Sequence, residues 1–455
     1  MFIFEIISGL GSTVMMPIII TVFGLILGIG FGKSFRAGLT VGVGLIGLNA
    51  VIGLMGGALA PAAAQLSANF GLQLDIIDVG WPAAAAIAFA GKVGTLIIPV
   101  GIAVNMVMIA TKSTQTINID IWNFWHYAFT GGLVASLTDN LLLGFVAAIA
   151  NIVIVMVIAD VTAPLFEEYN GLTGVSIPMA FSAAYAPIAW VVNEVIERIP
   201  GLNKLDFNLD DFQNKLGGAS ILFEPIVLGT IIGFLVALFA GYPIDPRVGG
   251  TTVFSIAMTM GAALVLIPKM ASLLMEGLIP IAQASQEFVQ KRYEGKGNFY
   301  IGLDSAVALG HPLTLALGII ITPLTLLIAV GLSKIGLNGV LPAVDLVVLP
   351  FIFIFVVPIC KGNGFRALLT GILLIVAGLM ISTSLAPVFT DVAIMADAAS
   401  YEGVGLISSI CDGANPLTYI LVMPFKWIGE MGAVVVLSVV SLVAAIWNRR
   451  RIASL

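Results

Sequence analysis

Two histidines are all that the chain contains, and one lies in an aromatic-rich run, Trp122-Asn123-Phe124-Trp125-His126-Tyr127-Ala128-Phe129-Thr130. At helical spacing Trp122, His126 and Thr130 follow one another at four-residue intervals and share a face. An aromatic platform beside an imidazole and a hydroxyl suits a sugar or polyol. The CH faces of such a ligand stack on the ring, and its hydroxyls find hydrogen-bond partners. The competing reading is an interfacial belt, where Trp and Tyr gather at lipid headgroups. A histidine inside an apolar segment is rare and usually functional, which favours binding.

Carboxylates supply the other candidate groups. Asp304 sits at the mouth of an apolar segment in Ile301-Gly302-Leu303-Asp304-Ser305, ahead of Gly310-His311-Pro312. It either accepts hydrogen bonds from substrate hydroxyls or caps a helix, a place that aspartate also favours. His311, at a Gly-His-Pro break, reads as a local structural contact. Asp78-Val79-Gly80-Trp81-Pro82 reads as an unwound segment that presents backbone groups and a helix N-terminus to a polar ligand, with Pro82 starting the helix; an ordinary N-cap is the alternative. Asp412-Gly413-Ala414-Asn415-Pro416 repeats that pattern. Ser182 and Tyr185, in a stretch interrupted by Pro178 and Pro187, either face a substrate or only satisfy a helix break. Glu224-Pro225 begins another apolar run, and Lys92 reads as a snorkelling side chain. Cys411 has no basic neighbour in sequence and reads as a small buried apolar group.

These groups must be positioned by something that avoids water. Of 455 residues 59% are hydrophobic and only 10% charged, with a mean hydropathy of +1.11. A soluble domain carries about 25% charged residues, so this chain reads as an all-α polytopic membrane protein. The net charge of −6 and the lack of a basic stripe argue against a nucleic-acid partner. Cys360 and Cys411 have no CxxC or Cys/His spacing, so neither disulfide nor zinc is expected. No Lys or Arg precedes Lys33, so no cleaved signal is expected at the N-terminus.

A helix needs roughly 20 apolar residues to cross the hydrocarbon. Such runs fall at 9–30, 38–60, 84–111, 141–160, 221–240, 250–268, 313–333, 338–358, 364–386 and 430–447. Segments 122–138, 174–192, 300–312 and 403–425 are interrupted by Gly, Pro or polar residues, as expected of broken or re-entrant segments around a transport site. About 9–11 transmembrane helices follow. Residues 194–215 form an aqueous acidic segment and 287–296 a charged loop. The basic residues of 287–296, Lys33, Arg36 and Arg449–Arg451 mark the cytoplasmic side and place the N-terminus outside. An internal repeat is also visible. FRAGLT at 35–40 returns as FRALLT at 365–370, Leu59-Ala60-Pro61 as Leu385-Ala386-Pro387, and the Asp78 segment as the Asp412 segment. The repeat halves run approximately 9–160 and 340–447, whether parallel or inverted.

Four stretches now carry a family resemblance: GSTVMMPIIITVFG near the start, GLQLDIIDVGWP at 71–82, NIDIWNFWHYAFTG at 118–131 and FYIGLDSAVALGHP at 299–312. Together they resemble the galactitol-type enzyme IIC membrane subunits of the bacterial phosphotransferase system, a family related in fold to the ascorbate-type IIC transporters. The resemblance runs almost end to end and makes 1–455 a single integral membrane IIC domain. It implies a homodimer in the bacterial cytoplasmic (inner) membrane, with a core domain, a dimerisation domain and alternating access. It further implies a soluble IIB partner, phosphorylated on its own cysteine with IIA upstream, which phosphorylates the arriving sugar. No phosphoryl group would reside on this chain, and no cofactor is implied. Binding would fall to His126, Thr130, Asp304 and groups following Pro82, together with Asp78, Trp81, Ser182, Asp412 and Asn415.

Two departures from the family pattern stand out. Ala83–Ala86 replace Gly and Ser, and Pro178-Met179-Ala180-Phe181-Ser182 replaces Pro-His-Gly-Thr-Ser. Each lost hydrogen bond to a hydroxyl weakens binding by about 1 kcal/mol, which points to a carbohydrate different from, or less polar than, galactitol. No Walker A, HExxH or GxSxG motif is present, so the chain shows no means of its own to bind ATP or activate a nucleophile. Two other readings remain at this level. One is an ion-coupled carbohydrate transporter, with Asp78, Asp304 or Asp412 carrying the ion; the other is a membrane sensor without transport.

Overall fold

The computed structural model describes residues 12–206, 225–293, 299–397 and 404–454, apart from 119, 121, 246, 248, 249 and 310. Glu224, Gly310, residues 207–215 of the acidic segment and the end of the charged stretch at 294–296 lie outside the described residues. Helices dominate. Those at Leu141–Asn170, Pro312–Lys334, Gly364–Ala396 and Gly429–Ser454 are long and apolar enough to cross a membrane. Five short strands complete the described elements: β1 Ile76–Asp78, β2 Thr116–Asn118, β3 Val175–Ser176, β4 Tyr300–Gly302 and β5 Leu406–Ser408.

Several apolar runs break where a single span is expected. The run 84–111 is two helices, Trp81–Ala90 and Gly94–Ala110, bent by 86°. The corner is Gly91-Lys92-Val93, and Gly94 packs against the Ala88 carbonyl so closely that a Cβ would collide. The run 338–358 holds only the half-length helix Leu349–Ile359, preceded by the short 3-10 turn Asp345–Val348. Conversely, 122–138 is a continuous helix, Trp122–Thr138. The charged stretch is not a loop up to 293, because the helix Val253–Tyr293 runs through it; Glu, Gln, Ala and Lys are good helix formers.

The strands are short because non-helical backbone buried in apolar surroundings must find partners. β1 pairs in parallel with β5, Asp78 opposite Ser408. β4 lies between β2 and β3, parallel to both. Each strand is followed by a loop and then a helical start. β1 leads through Gly80, at φ 79°, into the helix Trp81–Ala90. β2 leads to Trp122, whose N–H is capped by Asp120 Oδ1 at 3.1 Å. β4 leads to the turn Ser305–Ala308, where Asp304 Oδ1 takes the Ala306 N–H at 2.8 Å. β5 leads to Pro416–Trp427, capped by Asn415 Oδ1. Parallel pairing therefore brings helix N-termini, with their unpaired N–H groups and positive dipole ends, to one central region.

Two packing groups result. Helices Ser12–Ile26, Phe31–Phe70, Pro225–Phe239 and Val253–Tyr293 pack chiefly on one another. Close approach needs small residues: Gly277 sits against the Ala37 carbonyl and Val41, where a Cβ would come within 2.6 Å. The remaining helices surround the strands. There Trp122–Thr138 and Leu141–Asn170 meet at Gly131 and Gly144, each facing the other's carbonyl. The outer faces stay apolar. Val436, Val439, Val443 and Trp447 on the last helix are exposed, as a lipid-facing surface requires.

Candidate functional site

Helix Trp122–Thr138 brings His126 to the centre, where it is fully buried. Its Nδ1 makes a short hydrogen bond with Asp412 Oδ2, from the loop after β5. The contact joins the helix Trp122–Thr138 to the Asp412-Gly413-Ala414-Asn415-Pro416 segment. His126 Nε2 and Asp412 Oδ1 have no hydrogen-bond partner, although both are buried. The same holds for Asn123 Oδ1, one turn before His126, and Asn151 Oδ1 on the neighbouring helix. A buried unsatisfied polar atom costs about 1–3 kcal/mol, so four of them around one helix mark a place kept for a polar ligand or ordered water.

The other candidate residues divide into two sets. Asp304 is half-buried and lies within electrostatic reach of Asp120 and His126. Its N–H donates to Asp120 Oδ2 at 3.1 Å, which ties the ends of β4 and β2 together. Trp81 is half-buried, and its ring meets the edge of Trp122 with centroids 5.5 Å apart. His126 thus contacts Asp412 and lies within electrostatic reach of Asp304, with Trp122 one turn before it on the same helix.

Thr130, Ser182, Asn415 and Asp78 are occupied by the protein itself. Asn151 Nδ2 donates to Thr130 Oγ1 at 2.8 Å, and Thr130 Oγ1 lies 3.2 Å from Thr418 Oγ1. Ser182 Oγ donates to the Phe351 carbonyl at 3.0 Å and lies 3.1 Å from Ser305 Oγ. Asn415 caps Leu417 and Thr418 and donates to the Ala180 carbonyl at 3.2 Å. Asp78 accepts from Gly80 N at 3.1 Å, Val344 N at 2.8 Å and Asp345 N at 2.9 Å. Its carboxylate is a bracket for the 344–345 backbone. Met179 Sδ accepts from Ser305 and Ser182, so a thioether takes hydroxyls where the family pattern carries imidazole. Ala83, Ala84, Ala85 and Ala86 are all buried, which leaves that helix face without polar groups.

Sequence reasoning missed Asp345, Asn123, Asn151 and Asp120. Asn151 was open to view as a lone amide in the apolar run 141–160, where a polar group is costly unless used. Asn123 lies one turn from His126. Asp345 lies inside a run that hydropathy reads as a plain span, and the break that frees it has no local signal.

His126, Cys411 and Asp412 bring three potential metal-ligating atoms within 4.8 Å of one another. The imidazole is hydrogen-bonded directly to the carboxylate. The chemistry is that of a hydrogen-bonded His–Asp pair.

Toward the other ends of these helices lies a charged cleft of about 740 Å³, lined by Glu168, Tyr169, Trp190, Glu194, Glu197 and Lys361. From Phe351 to the cleft at Pro358 is seven residues, about 10 Å at 1.5 Å per residue. Arg451 Nη2 reaches the Asp160 carbonyl at 3.2 Å, and the helix continues from there to the cleft. The cleft therefore lies on the side of Arg449–Arg451. Arg366 donates to Glu197 Oε1 at 2.7 Å, and this contact holds the Glu197 carboxyl below its ordinary range. A carboxyl depressed in the folded state stabilises above its unfolded pKa and loses that contribution as pH falls through the folded value. The stability difference between the wild type and Glu197→Gln should therefore stay level from pH 7 to about pH 5 and vanish in stronger acid. Thermal unfolding in detergent across that range checks it, and a difference that shrinks above pH 5 would contradict the assignment.

A family model described as PTS system sugar-specific permease component matches residues 5–402. The chain is 36% identical over 420 residues to the PTS system galactitol-specific EIIC component of Escherichia coli K12, covering 92% of this chain and 90% of that protein. It is 34% identical over 449 residues to a putative permease IIC component of the same bacterium, covering 99% of each. With apolar helices long enough to span a bilayer, a multi-pass membrane architecture and a match over most of its length, this chain belongs to the family of phosphotransferase-system sugar-specific permease components.

Proposed function

We propose that the chain is the permease subunit of a phosphoenolpyruvate-dependent phosphotransferase system in the bacterial cytoplasmic membrane. It binds a galactitol-like carbohydrate at the His126–Asp412–Asp304 region and carries it inward by alternating access. A IIB subunit phosphorylated on its own cysteine then gives its phosphoryl group to the sugar's hydroxyl on the cytoplasmic side. The observation that carries the reading is the set of buried, unpartnered acceptors on His126, Asp412, Asn123 and Asn151 in a chain of this family. Hydroxyl-rich ligands donate to such acceptors, and Trp81 and Trp122 offer CH-stacking edges beside them. The relative named as galactitol-specific gives the substrate class. Ala83–Ala86 and Met179 fit a sugar with fewer polar contacts on that side. Two further features belong to the reading: a homodimer formed through the group of helices 12–26, 31–70, 225–239 and 253–293, and two internal repeats whose tips are β1 and β5.

Uptake into proteoliposomes tests the reading. Uptake that requires phosphorylated IIB and yields sugar phosphate supports it. Uptake that collapses with an ionophore and needs no IIB replaces it with ion coupling. His126→Ala and Asp304→Asn should each weaken carbohydrate binding about tenfold or more, since a hydrogen bond to a charged group is worth about 1.5–3 kcal/mol. Calorimetry on detergent-purified variants measures this, and unchanged affinity in both removes them from the site.

A further inference from the structure

We infer that His126 Nε2 is the base that takes the proton from the substrate hydroxyl as it is phosphorylated, with Asp412 as its positioning residue. The inference rests on the permease reading above. A carboxylate oxygen only accepts, so the His126 Nδ1 contact with Asp412 Oδ2 requires the imidazole proton on Nδ1. In the neutral imidazole that leaves the lone pair on Nε2. Nε2 is buried and takes no hydrogen bond from the protein. A structural histidine buried at this depth would use both nitrogens.

Asp412 Oδ1 is bare as well. Two adjacent acceptors then face a polyol, and a pair of neighbouring hydroxyls can donate one proton to each. Asp412 comes from the loop after β5 and His126 from the helix after β2, so the pair forms only while both segments hold their places. Asp304, within electrostatic reach of His126, adds a third acceptor at the mouth. The ring of Trp125 packs on the imidazole with centroids 4.1 Å apart and limits its rotation.

The step balances. The substrate oxygen attacks the phosphorus held on the partner's cysteine; an O–P bond forms, the S–P bond breaks, and the thiolate leaves. The hydroxyl proton passes to His126 Nε2. The imidazolium that results stands against the Asp412 carboxylate, the arrangement that a buried charge needs. Asp78 and Asp345, whose oxygens are filled by backbone N–H groups and Ser409, offer no bare acceptor for this proton.

Galactitol binding and single-turnover phosphoryl transfer from cysteine-phosphorylated IIB test the role in reconstituted membranes. His126→Gln keeps a hydrogen-bonding amide near the position of Nε2 but cannot serve as a base. It should transfer phosphate roughly 10²- to 10⁴-fold more slowly than any loss of carbohydrate affinity accounts for. Asp412→Asn should slow transfer by more than it weakens binding, and Asp412→Glu should recover part of the rate. If the transfer rate of His126→Gln falls only in step with affinity, or stays at the wild-type level, the role is overturned. A wild-type chain that binds no member of a panel of hexitols and ketoses and supports no transfer to any of them overturns the permease reading, and this role with it.

Discussion

Asp345→Ala is expected to lower the unfolding free energy by about 3 kcal/mol or more and to abolish sugar uptake, although Asp345 need not touch a ligand. Its Oδ1 accepts the Trp81 N–H at 2.6 Å, and its Oδ2 accepts Ser409 Oγ at 2.6 Å and the Cys411 N–H at 3.4 Å. One side chain thereby joins the loop after β1 to the loop after β5, next to Asp412. Alanine takes the acceptor from the Trp81 N–H and the Ser409 hydroxyl, at about 1.5–3 kcal/mol each for a charged acceptor, while the Cys411 N–H keeps Ser409 Oγ at 3.2 Å. Asp78 holds the 344–345 backbone from the other side, so Asp345 and Asp78 clasp each other's loops. Asp345→Asn keeps an acceptor oxygen and relieves the proximity of two carboxylates; it should cost less than half as much. Denaturant unfolding of both variants in detergent, with uptake measured in parallel, tests the clasp. A loss below about 1 kcal/mol for Asp345→Ala would show that the loops hold without it.

That residue also shows where sequence reading stops. Composition alone makes the chain a polytopic membrane protein, and the Asp78 and Asp412 segments announce themselves through Gly, Asn and Pro at helix starts. His126 and Asp304 stand out because polar groups are costly in apolar runs. Hydropathy averages over a window, so it reads 338–358 as one helix and passes over Asp345. The turn at Gly91-Lys92-Val93 is equally hidden, since Gly is abundant throughout and only packing against Ala88 makes one of them a corner. Nor does spacing tell a capping carboxylate from a binding one. Asp78, Asp304 and Asp412 each precede a helical start, yet Asp78 is filled by three N–H groups while Asp412 keeps a bare oxygen. What separates them is how many unpaired N–H groups converge on each, a tertiary quantity.

The difference between filled and bare acceptors also separates architecture from chemistry. Filled carboxylates at Asp78, Asp345 and Asp160 lie where strands meet helices and hold non-helical backbone in place at apolar depth. Bare acceptors cluster around the His126 helix. A ligand pocket needs both, because a hydrogen-bond acceptor left open for a sugar must sit on loops that do not collapse to satisfy it.

Asp160→Ala is expected to be the second severe lesion, and for a different reason. Asp160 is fully buried. It accepts Thr116 Oγ1 at 2.7 Å, the Gln115 N–H at 3.0 Å and Asn448 Nδ2 at 2.6 Å. Those contacts tie the start of β2 and the last helix to the helix Leu141–Asn170. Asn448 Nδ2 also reaches the Ser113 carbonyl at 2.9 Å, so the last helix is fastened at one polar point while most of its length faces outward. Hydrogen bonds to a charged group are worth about 1.5–3 kcal/mol each, and losing three together should cost about 4.5 kcal/mol or more. Asn448→Ala removes one donor and should cost about 1–2 kcal/mol. The two variants differ in reach: Asn448→Ala frees only the C-terminal helix, so trypsin should cut faster at Arg449–Arg451 while sugar affinity holds. Asp160→Ala should also unseat β2, and with it the cap at Asp120 and the entry to the His126 helix, so that affinity falls along with stability. Equal protease sensitivity in the wild type and both variants would mean that apolar packing, not this polar anchor, holds the last helix in place.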